Sequence, residues 1–369
     1  DRVREFNPGD QIAFRPFFFL IIASEKWFFG YNFMYWQIVS FLLHLAVMWW
    51  LLKLLQEIDQ NLFGVFLCLL CSVLFISMEM VIWHHLHGYQ VFSVLALAAL
   101  YNFYVYLREG KQKLWRIWTI TASLLVAAFS YEMGMLLSII FALYLASSYW
   151  GKQPQNDDST KSKRWAAVAL LLPCIVYVIV SASDFVVRGT TAPEGYAIWN
   201  KLDVGTTARN ALYTEALWFL GGILPLGLHA IPQERIIMRP LEVLPWDDAS
   251  KMSQLVLSGM VGVALITIYT LVLVKGVTKA FLQERWVFIF LLLTIVAAYT
   301  LMIVIGRINM RGLITLTYSV YYSYVFWIFF VVLIYTTINF GVIDKNFFSG
   351  IKILVFGSLM ILIYINSSL

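Results

Sequence analysis

Four short groups of residues in this chain have types and spacing suited to gripping a phosphate or moving a proton. The first is Trp83-His84-His85-Leu86-His87-Gly88-Tyr89, with three histidines inside four positions. A neutral imidazole can hydrogen-bond a phosphate or ligate a metal ion. The second is Ser130-Tyr131-Glu132-Met133-Gly134, a carboxylate set between two apolar runs. Charge at such a position is costly, so it marks a candidate site. The third is Gly306-Arg307-Ile308-Asn309-Met310-Arg311-Gly312, followed by Ser319-Val320-Tyr321-Tyr322. The planar fork of arginine matches two phosphate oxygens at once. The fourth is the polar N-terminal segment with Asp1, Glu5 and Asp10, which supplies carboxylates for a general base or for holding a divalent metal. Each group also has an ordinary reading: a polar turn, a capped helix start, arginines on lipid headgroups, a solvated loop.

The elements that must position these groups are read from composition. The 369 residues are 61% hydrophobic and 13% charged, with a mean hydropathy of +0.78. A soluble domain carries roughly 25% charged residues. The apolar runs are continuous and do not alternate, which selects helices over a β-barrel. The expected fold is therefore an all-α polytopic membrane protein with about eleven or twelve membrane segments. The net charge of +5 comes from basic residues placed between apolar runs, so membrane lipids are expected partners and nucleic acid is not. Cys68, Cys71 and Cys174 all lie in apolar runs and read as small hydrophobes.

Arg15-Pro16 opens an aromatic run that stops at Gly30-Tyr31-Asn32. That run is too short to span, since a crossing helix needs roughly 20 apolar residues. It reads as an interfacial helix over 15–29, with Trp27, Tyr31, Tyr35 and Trp36 at headgroup level. Spans follow at about 34–55, 62–83, 89–107, 114–130, 133–150 and 165–187. The segments Arg108-Glu109-Gly110-Lys111-Gln112-Lys113 to Arg116 and 151–164 are basic and mark the cytoplasm. This places the histidine turn and Glu132 together on the opposite face. Residues 188–210 read as an extracytoplasmic loop, and 211–231, broken by Gly221-Gly222, Pro225 and Gly227, either crosses the membrane or re-enters, the charge rule favouring re-entry. The last spans are expected at 254–274, 286–305, 318–340 and 350–365. The chain thus divides into a first loop with its interfacial helix (1–33), an N-terminal helical half (34–187), a loop and re-entrant region (188–252) and C-terminal helices (253–369), all within one integral membrane domain. Cysteine labels at Asn156 and Thr190 are expected to report opposite sides of the membrane.

In order and spacing these groups resemble the GT-C glycosyltransferases, in particular the protein O-mannosyltransferase-like branch and its bacterial relatives. The Arg15-Pro16 helix, the Gly30-x-Asn32 break and the span with Leu42-Leu43-His44 resemble one block of that family. His84 and His87 fall at the two histidine positions of its HP-x-H-x-E turn, with His85 for the proline and Tyr89 for the glutamate. Ser130-x-Glu132-x-Gly134 resembles its S-K-E-x-G block, with Tyr131 for the lysine, so Glu132 needs another partner, such as a histidine across the site. Gly306-Arg307 resembles its G-R loop, and Val320 replaces a second arginine.

The resemblance implies a GT-C-like scaffold, a further helix before Asp1, and a bacterial inner membrane with the active face outward. It implies transfer of a sugar from a polyprenyl-phosphate lipid to a protein or glycan acceptor. Asp1, Asp10 and Glu132 are then the candidate catalytic acids, and Arg15, His84, His87, Arg307 and Arg311 the candidate phosphate-binding residues. The family allows a divalent metal ion at the leaving phosphate; no residue here is assigned to one. The substituted motifs also fit a non-catalytic integral subunit of a larger membrane complex. Haem ligation would need histidines at one depth, whereas His44 sits mid-span. A transporter would need polar residues through both leaflets, whereas these gather at one face.

Overall fold

The computed structural model describes residues 15–74, 77, 80, 81, 86–109, 113–150, 158–188, 203–223, 227–229, 238–240, 284–305 and 321–340. Among them are ten helices: α1 (Pro16–Phe29), α2 (Phe33–Ile58), α3 (Leu62–Val73), α4 (His87–Glu109), α5 (Leu114–Ser130), α6 (Met133–Trp150), α7 (Asp158–Arg188), α8 (Val204–Ile223), α9 (Glu284–Ile303) and α10 (Tyr321–Asn339). A three-residue antiparallel ribbon pairs Gly227–His229 with Met238–Pro240. The protein is an all-α, membrane-embedded chain. Four of its helices are long and apolar enough to cross a bilayer: Phe33–Ile58, His87–Glu109, Arg164–Ser183 and Tyr322–Asn339.

The chain forms two compact units, Asp1–Glu57 with Trp83–Lys201, and Ile58–Ile82 with Leu202–Leu369. In the first, proline at N1 starts α1, its fixed φ suiting a position whose N–H has no partner in the helix. Gly30 ends it at φ 59°, a left-handed conformation that side-chain-bearing residues rarely adopt. Helix α1 packs against α4 and α5. Its outer aromatics stay exposed, Trp27 at 79% and Phe28 at 69%. Helices α4 to α7 pack on one another. Thr121 Oγ1 donates to Ala169 O at 3.3 Å, and Ser138 to Leu170 O, tying α5 and α6 to α7.

Close backbone approach sets the seam between α1 and α4. A Cβ on Gly88 would lie 2.2 Å from Cδ2 of the Phe18 ring. That ring is the end of a flexible side chain and can turn aside. Gly88→Ala is therefore expected to lower stability by about 1 kcal/mol, read as a thermal midpoint in detergent; no change would mean that α1 does not sit tightly on α4.

The second unit is described separately. Its α10 is buried on nearly every side, from Tyr322 to Ile338. Trp218, Tyr299, Phe326, Trp327 and Phe330 form its aromatic core. Tyr299 Oη donates to Tyr322 O and Trp327 Nε1 to Trp218 O, both at 2.8 Å. The buried Glu215 carboxylate accepts from Thr300 Oγ1 at 2.8 Å. Asn61 caps α3, accepting from Gly64 N, and meets Tyr335 and Asn339 of α10.

Three boundaries differ from the sequence expectation. The helix expected over 62–83 breaks after Val73, because Leu74 turns to an extended ψ of 142°; beyond it Ser77, Met80 and Val81 are helical again. The basic loop expected over 151–164 gives way early to α7, which already begins at Asp158. The loop expected over 188–210 gives way to α8 at Val204. Here Asp203 Oδ2 accepts from Thr206 N at 2.7 Å and starts the helix. The spans expected at 254–274 and 350–365 lie outside the described residues.

Candidate functional site

The first unit gathers polar side chains at the end where α1 and α4 begin and α5 turns into α6. The hinge explains how Glu132 gets there. Helix α5 stops at Tyr131, which is extended at φ −157° while its N–H still donates to Ala127 O at 2.8 Å. Gly134 N then donates to Tyr131 O, and Met135 N to Glu132 O, opening α6. Glu132 is left on the turn between two helices.

Its partner is Arg15, the residue just before α1. Arg15 Nε donates to Glu132 Oε1 at 2.9 Å and Nη2 to Oε2 at 2.8 Å, a bidentate fork. The side chains are 13% and 24% exposed, so the pair sits at an edge with most water excluded. The Arg15 guanidinium lies 4.9 Å above the Tyr131 ring and 5.8 Å from the Tyr89 ring. Arg15 Nη1 donates to Tyr89 Oη over a long 3.4 Å. Burial works against the Arg15 charge, but the Tyr89 hydroxyl and the Glu132 carboxylate outweigh it, and its pKa is raised above the ordinary arginine value. The guanidinium is a fixed cation.

A second polar cluster lies beneath α1. His87, the first residue of α4, is fully buried. Its Nδ1 is 2.7 Å from Glu25 Oε1 on α1, and its Nε2 is 2.8 Å from Ser40 Oγ on α2. Gln90, one turn along α4, donates through Nε2 to Ser40 O at 3.0 Å. Glu25 is 5% exposed, and its Oε2 has no hydrogen-bond partner among the described residues. A buried carboxylate of this kind costs several kcal/mol unless it is paired; here the imidazole is the pair.

The structure therefore brings together Arg15, Glu132 and the start of α4 with His87 and Tyr89. The expected pairing of Glu132 with a histidine is replaced. Glu132 takes Arg15, and His87 takes Glu25. Asp1, Asp10, His84, Arg307 and Arg311 lie outside the described residues. Glu25, Ser40 and Gln90 are new. Glu25 carried a sequence signal, as the one acid in the apolar helix Pro16–Phe29. Ser40 and Gln90 carried none, because a serine or glutamine in a span is unremarkable until its neighbour across the seam is known.

The other end of this unit has a different character. Arg108 pairs with Glu57, and Lys113 and Arg116 pair with Glu109 at 3.3 and 3.2 Å. Lys53 Nζ sits 4.8 and 4.7 Å from the Trp50 and Tyr101 rings. Helix α4 carries His87 at one end and Glu109 at the other, roughly 33 Å apart at about 1.5 Å per residue. That is close to the ~30 Å of a bilayer's hydrocarbon core. Among the described residues no group of three or more His, Cys, Asp or Glu could hold a metal ion.

Chemically, the Arg15 cluster offers a held guanidinium beside two tyrosine rings at the start of α1. Among the described residues its Nη1 makes only the long contact to Tyr89, and it is the donor best placed for an incoming anion. Compared with known proteins, the chain matches no family model, no curated protein and no solved structure.

Proposed function

We propose that this protein transfers a sugar from a polyprenyl-phosphate donor to a protein or glycan acceptor at the extracytoplasmic face of a bacterial inner membrane. One observation carries the reading. Three sequence groups far apart in the chain, Arg15-Pro16, the histidine turn and the Ser130–Gly134 hinge, meet through Arg15, Tyr89 and Glu132. They do so beside α1, whose Trp27 and Phe28 are exposed. The face follows from charge. Arg108, Lys113 and Arg116 cluster at the far end of α4 and α5, and such clusters favour the cytoplasm.

In this reading Arg15 Nη1 engages a phosphate oxygen of the donor, and Tyr89 lines the same position. The acceptor hydroxyl attacks the anomeric carbon; the new carbon–oxygen bond forms as the bond to phosphate breaks. Negative charge grows on the departing phosphate, where a preorganised cation stabilises it most. Both oxygens of Glu132 are held by Arg15, so the acceptor's proton goes to a first-loop acid, Asp1 or Asp10.

The test is transfer itself. Purified protein in lipid nanodiscs, given a polyprenyl-phosphate-linked radiolabelled sugar and a peptide or glycan acceptor, is expected to release free polyprenyl phosphate. Arg15→Ala is expected to lower the rate at least a hundredfold (about 2.7 kcal/mol). Wild-type protein that binds no lipid phosphate, and purifies only with stoichiometric partner subunits, would favour a non-catalytic subunit instead.

A further inference from the structure

The strongest feature the proposed chemistry leaves unused is the buried chain Glu25–His87–Ser40–Gln90. We propose that Glu25 and His87 are positioning residues: they lock the interfacial helix α1 onto α2 and α4, and so hold Arg15 in place for the lipid-linked phosphate. This rests on the reading above and deepens it.

Three helices meet at His87. Glu25 comes from α1, Ser40 from α2, and His87 and Gln90 from α4. Nδ1 of His87 meets the Glu25 carboxylate and Nε2 the Ser40 hydroxyl, and the tautomer of the ring sets which side of each contact donates. Both ring nitrogens are taken. His87 therefore acts on the phosphate site through α1 and α4, without touching the donor.

Two clamps hold α1. Arg15 is fixed at its start by Glu132, and Glu25 is fixed ten residues on, about 15 Å along the axis. Between them the Phe18 ring lies over Gly88. The outer face of α1, with Trp27 and Phe28 exposed, attracts it to the lipid surface and does nothing to fix its rotation. A single buried acid whose partner lies on another helix does fix it, because any turn of α1 pulls the carboxylate away from its imidazole. His87 and Tyr89 share the first turn of α4, so the same node also steadies the tyrosine that faces Arg15.

The experiment compares wild type, Glu25→Ala and Glu25→Gln in nanodiscs. Hydrogen–deuterium exchange reads the protection of residues 16–29, and binding of purified undecaprenyl phosphate is measured on the same samples. Glu25→Ala is expected to raise exchange across α1 about tenfold, to leave α5 and α6 unchanged, and to weaken lipid-phosphate binding about tenfold. The amide of Glu25→Gln can still hydrogen-bond Nδ1, so it is expected to restore most of both. Unchanged α1 exchange in Glu25→Ala overturns the latch. Loosened α1 with unchanged binding overturns the positioning role. Wild-type protein that binds no lipid phosphate overturns the functional reading and this role with it, while the exchange arm still reports whether the latch exists.

Discussion

Alanine at position 134 is expected to destabilise the protein by about 3 kcal/mol, at the upper end for overpacking. Gly134 is the second residue of α6. A Cβ there would lie 2.3 Å from Ala128 N and 2.6 Å from Ala127 C, both backbone atoms of α5. Nothing flexible stands in the way that could turn aside, unlike Phe18 at Gly88. The two helices must part or the hinge must unwind. Either movement displaces Glu132, two residues earlier, from Arg15. The variant is therefore expected to lose thermal stability and lipid-phosphate binding together. A thermal midpoint near that of wild type would show that α5 and α6 do not approach as closely as described.

Breaking the Arg15–Glu132 fork is the second large effect. Glu132→Ala strands a mostly buried guanidinium, and Arg15→Leu strands a carboxylate that is 24% exposed. Removing one partner of such a pair costs about 3 kcal/mol when it is well buried. The greater exposure of Glu132 places Arg15→Leu nearer 2 kcal/mol, because water recovers part of the loss. The double variant Arg15→Leu/Glu132→Leu leaves no stranded charge. It is expected to be more stable than the sum of the singles predicts, with a coupling of about 1–3 kcal/mol. Additive losses in this thermodynamic cycle would mean that the fork contributes little.

Much of this architecture was legible in the residues. Continuous apolar runs gave α5 and α6 their observed limits, Leu114–Ser130 and Met133–Trp150, because Lys113 and the Ser130–Glu132 hinge interrupt hydrophobicity sharply. Arg15-Pro16 and Gly30 bracketed α1 because proline and glycine act through local backbone geometry alone. The end of α3 at Val73 was not legible. Leu74 and its neighbours are as apolar as the helix before them, so nothing in hydropathy marks the break.

The site was legible in part. Arg15, His87 and Glu132 stood out as polar residues at apolar boundaries. Their pairing did not, since it depends on which helix ends meet in space. With Tyr131 and no cation beside it in the sequence, Glu132 needed a partner from elsewhere. Arg15 supplies one from 117 residues away, and the tyrosine ring lies under that same arginine. Glu25 shows the converse. It was visible as a lone acid in an apolar helix, yet without the His87 contact it could not be told from an exposed charge on the headgroup side.

The most direct measurement is binding of undecaprenyl phosphate to the protein in nanodiscs, comparing wild type, Arg15→Lys and Arg15→Ala. Lysine keeps the charge as a compact ammonium but lacks the planar fork that holds both Glu132 oxygens and aims Nη1 outward. The account predicts saturable binding in wild type, weakened about tenfold in Arg15→Lys and about a hundredfold in Arg15→Ala. Equal affinity in all three would contradict it.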